Sequence, residues 1–290
     1  MTQTKRLTLP HSQINIFYRE QGPPNAPILL LLHGFPSSSH QYRNLIPLLA
    51  TKYRVLAPDL PGFGFTEVPS TTPPFQYTFA NLTATIAEFL DVLTISHFAV
   101  YIFDYGAPVA LRLALQRPQS ITAIITQNGN AYNEGLGSFW DAIKSFWASE
   151  NTPQDREKLI QSLLTFETTK FQYEEGTPNP ETIAPESYYL DYALLQRPGN
   201  ADVQVDLFKD YETNVDLYPE FQKYFRDSQV PLLAVWGRND PIFVPPGVEA
   251  YKRDLPNAEV HLIEAGHFAV ESQTQLIAGY ILRFLGRCGI

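Results

Sequence analysis

Three residues could together carry out nucleophilic catalysis: Asp104, Asp240 and His267. Each follows closely on an apolar run of the kind that forms a buried strand. A carboxylate is ionised at pH 7, so Asp104 could displace a leaving group at a saturated carbon and form an ester. A histidine oriented by a second acid could then activate water to hydrolyse that ester. The apolar runs, in the same order, cover 100–103, 230–236 and 258–263.

The segment around Asp104 favours a sharp strand-to-helix turn, because a helical pattern over 111–116 follows the apolar run. A helix that begins after such a turn directs free backbone N–H groups at developing negative charge. Gly106 and Ala107 allow a tight turn, and Pro108 is tolerated in a first helical turn. Taken alone, the segment suits an acidic helix cap equally well.

A second loop follows the run 28–32, which is apolar at every position and therefore suits a strand covered on both faces. If this strand is parallel to the one before the predicted nucleophile, both loops meet at one edge of the sheet. Gly34 permits a close backbone approach, and the bond before Pro36 is a candidate for cis geometry. The N–H groups of Phe35 and Tyr105 are then the candidate oxyanion donors. By itself, the loop would be an ordinary strand-to-helix turn.

The order of the patterns predicts an α/β protein with an insertion. Strand and helix patterns alternate up to about residue 129, after an opening strand near 14–18 that suits antiparallel pairing. From 130 to 228 the chain loses buried-strand runs and becomes rich in aromatic residues, and the strand pattern then resumes. We predict a core formed by 1–129 and 229–290 and a helical cap over 130–228. Such a cap would exclude water and line a pocket.

Composition narrows the classes of function. The chain has 290 residues, of which 44% are hydrophobic and 18% charged, as in a soluble globular protein. A net charge of −9 without a long basic run argues against nucleic-acid binding. No apolar segment reaches the roughly 18 residues of a membrane span, and the N-terminus lacks a secretory pattern, so we expect a cytoplasmic protein.

The expected ligand is a small hydrophobic molecule, since aromatic residues that could line a pocket are abundant. Cys288 is the single cysteine, which rules out an intrachain disulfide or a cysteine-rich metal site. We expect neither a cofactor nor a metal. The sequence leaves the oligomeric state open, and a homodimer is one arrangement that it allows.

Five motifs resemble the α/β-hydrolase superfamily and, within it, the branch with an aspartate nucleophile. They are HGFP at 33–36, DLPGFGF at 59–65, FDYGAP at 103–108, WGRND at 236–240 and GHF at 266–268. The resemblance covers nearly the whole chain, although it is weak in the predicted cap. It implies a mostly parallel central sheet flanked by helices and a catalytic set of Asp104, Asp240 and His267. Epoxide hydrolases and haloalkane dehalogenases belong to this branch.

The sequence differs at three positions from the families that it resembles. Tyr105 stands where the elbow usually reads D-W-G, and Phe35 stands where many haloalkane dehalogenases have Asn. Ile102 replaces the small residue that epoxide hydrolases commonly have two positions before the nucleophile. Fluoroacetate dehalogenase has an Arg after its nucleophile that binds the substrate carboxylate. Because Tyr105 cannot supply that charge, we expect no small carboxylated substrate.

Residues of the predicted cap should determine which leaving group the enzyme accepts. KDYETN at 209–214 resembles the cap segment whose tyrosine contacts substrate oxygen or halide, and Tyr211 is the matching position. An epoxide needs a proton donor during opening, which suits tyrosine. A halide prefers N–H donors such as the indoles of Trp140 and Trp147. The candidates for a second tyrosine donor, each of which also suits ordinary packing, are Tyr132, Tyr188, Tyr189 and Tyr192.

We therefore predict an epoxide hydrolase that acts through an Asp104 ester, with Tyr211, Trp140 and Tyr132 as substrate-binding residues. The nearest alternative is a haloalkane dehalogenase with the same nucleophile. An alternative of another class is a non-catalytic protein that binds small molecules on the same fold, because a fold does not by itself determine a function.

Overall fold

The computed structural model describes residues 1–70 and 72–290, and within them eight strands form one sheet in the order β1-β2-β4-β3-β5-β6-β7-β8. Strands β1 and β2 pair antiparallel, as do β2 and β4, and all pairs from β4 to β8 are parallel. This confirms the predicted mostly parallel sheet with an antiparallel opening. The strands are β1 Gln3–Thr8, β2 Asn15–Gln21, β3 Ile28–Leu32, β4 Arg54–Pro58, β5 Phe98–Ile102, β6 Ile121–Thr126, β7 Leu232–Gly237 and β8 Glu259–Ile263.

Helices cover both faces of the sheet and fill the stretch between β6 and β7. In chain order they are α1 Ile46–Leu49, α2 Phe79–Val92, α3 Gly106–Gln116, α4 Asp141–Trp147, α5 Pro153–Leu163, α6 Phe166–Glu174, α7 Pro185–Leu195, α8 Asn200–Asp210, α9 Glu212–Asp216, α10 Tyr218–Ser228, α11 Pro246–Asp254, α12 Ala269–Ser272 and α13 Thr274–Arg287. Short 3₁₀ turns lie at Ser39–Tyr42, Asn133–Gly135, Ser138–Trp140 and Pro180–Thr182. No helix in the described part of the chain is both long and apolar enough to cross a membrane.

The apolar strands supply two hydrophobic cores, one on each face of the sheet. Successive side chains of a strand point to opposite faces, so Leu30 and Leu32 of β3 join the core beneath α2 and α3. Leu29 and Leu31 join the other core, which α1 and α13 cover. Because both faces are buried, the parallel strands are apolar at nearly every position.

Two helix predictions have different outcomes. The sequence predicts that Thr78 caps a helix carrying Phe79, and this is confirmed, since the Thr78 side chain accepts a hydrogen bond from the Asn81 N–H. The sequence also favours a helix over 40–50, but this stretch is a 3₁₀ turn followed by the four-residue α1. Pro47 is the physical reason, because it has no N–H to donate to the Arg43 carbonyl, as a continuous helix would require, and it is instead tolerated in the first turn of α1.

The stretch 130–228 consists of helices and turns and lies against loops of the sheet edge. Arg197 and Gln204 donate hydrogen bonds to the carbonyls of Gly64 and Gly62, at 2.9 and 3.1 Å. These glycines belong to the loop that follows β4. The inserted helices therefore lie over the carboxyl ends of the parallel strands, where the predicted site residues are.

Candidate active site

Asp104 lies between β5 and α3, in the strand-to-helix turn that the sequence predicts. Its φ of +47° is in the left-handed region, which residues other than glycine rarely adopt. This conformation is typical of a strained nucleophile turn. The turn also needs Gly106, because a Cβ there would lie 2.2 Å from the Leu32 carbonyl oxygen. The turn thus directs the Asp104 carboxylate towards the loop after β3.

A backbone donor holds one oxygen of this carboxylate. The Phe35 N–H donates to Oδ1 of Asp104 at 2.6 Å, and the Tyr105 N–H acts with it to lower the pKa of the carboxyl. The Phe35–Pro36 bond is cis, as predicted. Gly34 is required for this approach, since a Cβ there would lie 2.2 Å from Oδ1. The arrangement leaves Oδ2 as the oxygen that can attack.

His267 is fully buried and connects the two acidic residues. Its Nδ1 lies 2.9 Å from Oδ2 of Asp240, while its Nε2 lies 3.9 Å from Oδ2 of Asp104. Within residues 1–70 and 72–290, Nε2 has no hydrogen-bond partner. A proton on Nδ1, held by Asp240, leaves Nε2 free to accept a proton from water.

Two further polar residues support this pair, and the sequence analysis missed both. Asn128 donates to Oδ2 of Asp240 at 2.5 Å, and Gln127 donates to the His267 carbonyl oxygen at 2.8 Å. The Ile242 N–H donates to the other oxygen of Asp240 at 2.7 Å. Gln127 and Asn128 directly follow β6, between the strands that carry Asp104 and Asp240. Their position at the end of a predicted strand was the signal that could have identified them.

Burial changes the acidity of Asp104, the predicted nucleophile. Asp104 is 4% exposed, and burial raises its pKa to about 6. The neighbouring His267 and the N–H groups of Tyr105 and Phe35 act in the opposite direction and lower this pKa. The pKa of Asp104 therefore differs from the ordinary aspartate value that its residue type predicts. With a pKa near 6, about nine-tenths of Asp104 is still ionised at pH 7.

Two buried tyrosines from the inserted helices face each other near the nucleophile. The hydroxyl oxygens of Tyr211 and Tyr218 lie 3.5 Å apart, and Asn130 donates to the Tyr218 hydroxyl at 3.2 Å. Burial raises the pKa of both tyrosines, and the charge of Asp104 contributes to each shift. Tyr211 was predicted and Tyr218 was not. No local pattern indicates the pair, because Tyr211 lies between α8 and α9 and Tyr218 begins α10.

The two tryptophans contribute ring surface, and their N–H groups have partners in the protein. The Trp140 ring lies 4.5 Å from the Tyr211 ring, which places Trp140 beside the tyrosine pair. Its N–H donates to the Ile242 carbonyl at 3.0 Å, and the Trp147 N–H donates to the Phe208 carbonyl at 2.7 Å. Neither indole N–H is therefore free to hold a halide in this structure.

Tyr132, which is predicted to bind substrate, has its polar group paired within the protein. Its hydroxyl donates to Asp254 at 2.8 Å, and its ring packs on Tyr251 with centroids 4.9 Å apart. Both partners belong to α11, so these contacts give Tyr132 a structural place between β6 and that helix. The remaining tyrosine candidates are Tyr188, Tyr189 and Tyr192. Their rings pack around Phe166 of α6.

Known proteins share this fold and much of this sequence. The family model described as alpha/beta hydrolase fold matches residues 27–274. An uncharacterized hydrolase of Saccharomyces cerevisiae is 48% identical over 271 residues, which covers 93% of this chain and 92% of the yeast protein. A haloalkane dehalogenase of Psychrobacter cryohalolentis is 26% identical over 294 residues, which covers 94% of this chain and 88% of that protein.

The solved structure of an epoxide hydrolase from Vigna radiata matches with a TM-score of 0.76 at 21% identity. The match covers 99% of this chain and 98% of that one, and at this identity it speaks for the fold alone. The eight-stranded sheet of the described residues, with helices on both faces, is the same architecture. The family match and these relatives agree with the fold and the branch that the motifs predict: the chain is a hydrolase that belongs to the α/β-hydrolase superfamily, in its aspartate-nucleophile branch.

Proposed function

We propose that this hydrolase opens epoxides of hydrophobic substrates through a covalent ester on Asp104. The pair of hydroxyls on Tyr211 and Tyr218, 3.5 Å apart and close enough to Asp104 to feel its charge, carries the proposal. An epoxide oxygen stays on the product and needs a proton as the ring opens. Two phenolic O–H groups can hold that oxygen together, and one of them can donate the proton.

In the first step, Oδ2 of Asp104 attacks one epoxide carbon and forms the ester bond. The carbon–oxygen bond of the ring breaks, and its electron pair stays on the oxygen, which takes the proton of Tyr211. Tyr218 donates a hydrogen bond to the same oxygen. Because burial raises the pKa of Tyr211 well above its ordinary value, this phenol stays protonated throughout the neutral range.

In the second step, His267 takes a proton from water at Nε2, and the resulting hydroxide attacks Cγ of Asp104. Negative charge develops on Oδ1, where the N–H groups of Phe35 and Tyr105 stabilise it. The Cγ–Oδ2 bond then breaks, and the departing oxygen takes the proton from His267, so the diol leaves with Oδ2. The acid that remains on Asp104 keeps the oxygen of water and returns its proton to the Tyr211 phenolate, which restores both side chains. Asp240 stabilises the imidazolium that forms on His267.

The inserted stretch 130–228 serves as a cap in this proposal. It supplies Tyr211 and Tyr218, and its contacts with the loop after β4 hold it over the nucleophile. The Phe79 N–H adds a hydrogen bond of 2.6 Å to Asp210, the residue before Tyr211. A cap of this kind excludes water from the alkylation step and aims the proton donor.

Dehalogenation is the closest alternative, since the relative from Psychrobacter is named a haloalkane dehalogenase. A halide needs hydrogen-bond donors and accepts no proton at neutral pH. The indole N–H groups of Trp140 and Trp147 donate to backbone carbonyls, whereas the hydroxyls of Tyr211 and Tyr218 face each other. This distribution of donors favours an epoxide over a haloalkane.

The test is a turnover experiment in H₂¹⁸O with a panel of terminal epoxides and matched haloalkanes. The proposal expects diol from the epoxides, with label entering the peptide that contains Asp104. Halide release with the same label would show that the substrates are haloalkanes instead of epoxides and that Asp104 is still the nucleophile. If neither product forms and Asp104 stays unlabelled while epoxides still raise the Tm, the protein binds without catalysis. Asp104→Asn is the control that must abolish both product and label.

A further inference from the structure

The side chain of Tyr105 carries a buried polar group that the proposed mechanism does not use. The residue is 1% exposed, and its hydroxyl has no hydrogen-bond partner within residues 1–70 and 72–290. A buried hydroxyl is normally paired, because burial without a partner forfeits its bonds to water. An unpaired hydroxyl of this kind is available to a ligand.

The Tyr105 ring packs between the loop after β3 and the predicted proton donor. Its centroid lies 6.1 Å from that of Phe35, on the loop that supplies an oxyanion donor, and 5.6 Å from that of Tyr211. Three further rings surround it, with centroids at 6.1, 4.9 and 6.2 Å: Phe63, Phe79 and Phe208. Apart from the tyrosines, these neighbours are phenylalanine rings, which offer a substrate no hydrogen bonds.

Electrostatic effects indicate that the hydroxyl lies near the reacting groups. The pKa of Tyr105 is raised well above its ordinary value, first by burial and then by the charge of Asp104. Tyr105 in turn contributes to the raised pKa of Tyr211. These effects agree with the geometry, in which Tyr105 directly follows Asp104 in the chain and its ring packs on that of Tyr211.

We propose that Tyr105 determines substrate specificity by donating its hydroxyl hydrogen bond to a neutral oxygen next to the epoxide ring, as in a glycidyl ether or an epoxy alcohol. This inference rests on the proposed epoxide hydrolysis. The oxygen must be neutral, because the charge of Asp104 repels an anionic substituent. The rest of the substrate is apolar, to suit the phenylalanine rings.

The energetic reason is an asymmetry between the two kinds of substrate. An epoxide with the oxygen pairs the Tyr105 hydroxyl, whereas its hydrocarbon analogue covers the hydroxyl and leaves it unpaired. A site that contains a buried polar group therefore rejects an analogue without a partner for it more strongly than an apolar site would.

The experiment compares butyl glycidyl ether with 1,2-epoxyoctane, which has a CH₂ group in place of the ether oxygen. The ratio of their kcat/KM values is measured in the wild type and in Tyr105→Phe, which retains the ring and the backbone N–H. We expect the preference for the ether to fall about tenfold in the variant. Tyr132→Phe is the matched control, because its hydroxyl bonds to Asp254, and it should keep the wild-type ratio.

An equal ratio in the wild type and Tyr105→Phe would overturn the inference. The wild type alone provides a second check that is independent of how the variant folds. If its preference for the ether does not exceed the ratio of the two epoxides' rates with acetate ion in water, the hydroxyl contributes no recognition and the inference fails.

Binding separates this inference from the proposed function. In an Asp104→Asn background, calorimetry should show tighter binding of the ether, and adding Tyr105→Phe should remove the difference. If wild type forms no diol yet this binding difference appears, Tyr105 recognises the oxygen and the epoxide hydrolysis is wrong. If diol forms and the difference is absent, hydrolysis stands and the role of Tyr105 is wrong.

Discussion

The Nε2 atom of His267 lies 3.9 Å from Oδ2 of Asp104, beyond hydrogen-bond distance, while its Nδ1 is bound to Asp240 at 2.9 Å. A histidine that activates a serine must reach the hydroxyl proton of the nucleophile. A carboxylate has no such proton at neutral pH, so the gap costs nothing in the first step. In the proposed mechanism His267 acts only in the second step, where its unpaired Nε2 takes a proton from water.

Replacing His267 should therefore separate the two steps. In His267→Gln, a reactive epoxide should still alkylate Asp104, because attack needs no base, but the ester should persist. Intact-protein mass spectrometry would show the mass of the substrate added to the variant. The double variant with Asp104→Asn should show no addition. Absence of an adduct in His267→Gln at saturating substrate would contradict the covalent scheme.

The rate of ester formation should depend on pH through Asp104. Attack requires the carboxylate, and burial raises its pKa to about 6, so the rate should fall about tenfold per pH unit below that value and level off above it. Pre-steady-state measurement of alkylation reports this step, with Tm followed across the same range to exclude unfolding. In His267→Gln the acidic limb of the pH–rate profile should move to higher pH, because His267 lowers the Asp104 pKa. A limb near pH 4 would contradict the proposed environment.

Single hydroxyl deletions should distinguish the proton donor from a structural tyrosine. Tyr211→Phe should lower kcat for epoxides on the order of 10²-fold or more, since the ring oxygen loses its acid. Tyr132→Phe should keep kcat and lose about 1–3 kcal/mol of stability, because Asp254 loses a buried partner. Steady-state kinetics and denaturant unfolding measure the two effects. Equal losses of kcat in both folded variants would contradict the assignment of Tyr211.

A buried acid in the inserted helices should make stability depend on pH. Tyr173 donates to Asp191 at 2.5 Å, and burial raises the pKa of Asp191 to about 8. The folded state therefore holds the carboxyl proton of Asp191 more tightly than the unfolded chain does, because aspartates in an unfolded chain titrate near pH 4. The resulting stabilisation is complete below pH 4, declines as the pH rises to 8, and is absent above it.

Asp191→Asn removes this titration and keeps an oxygen that can accept from Tyr173. Relative to wild type, the variant should gain Tm progressively between pH 5 and 8 and keep a constant difference at higher pH. Thermal unfolding of both proteins in matched buffers measures the difference. A difference that does not change with pH would show that Asp191 keeps an ordinary pKa in the folded protein.

The sequence alone was sufficient for the elements that local patterns encode. Apolar runs located the parallel strands, and the residues directly after them put Asp104, Asp240 and His267 at one edge of the sheet. Gly34 marked the close backbone approach, since its environment leaves no space for a Cβ beside Asp104. These features depend on a residue and its immediate neighbours, and they can therefore be inferred without knowledge of the fold.

Tertiary structure decided which polar atoms are paired. The Trp140 N–H donates to the carbonyl of Ile242, far away in sequence, and the Tyr132 hydroxyl donates to Asp254. Tyr218 approaches Tyr211 only because of how α9 and α10 turn after α8. The type of a residue determines which hydrogen bonds its side chain can make. Which of them it makes depends on atoms that distant segments bring into reach, and local sequence patterns carry no record of those atoms.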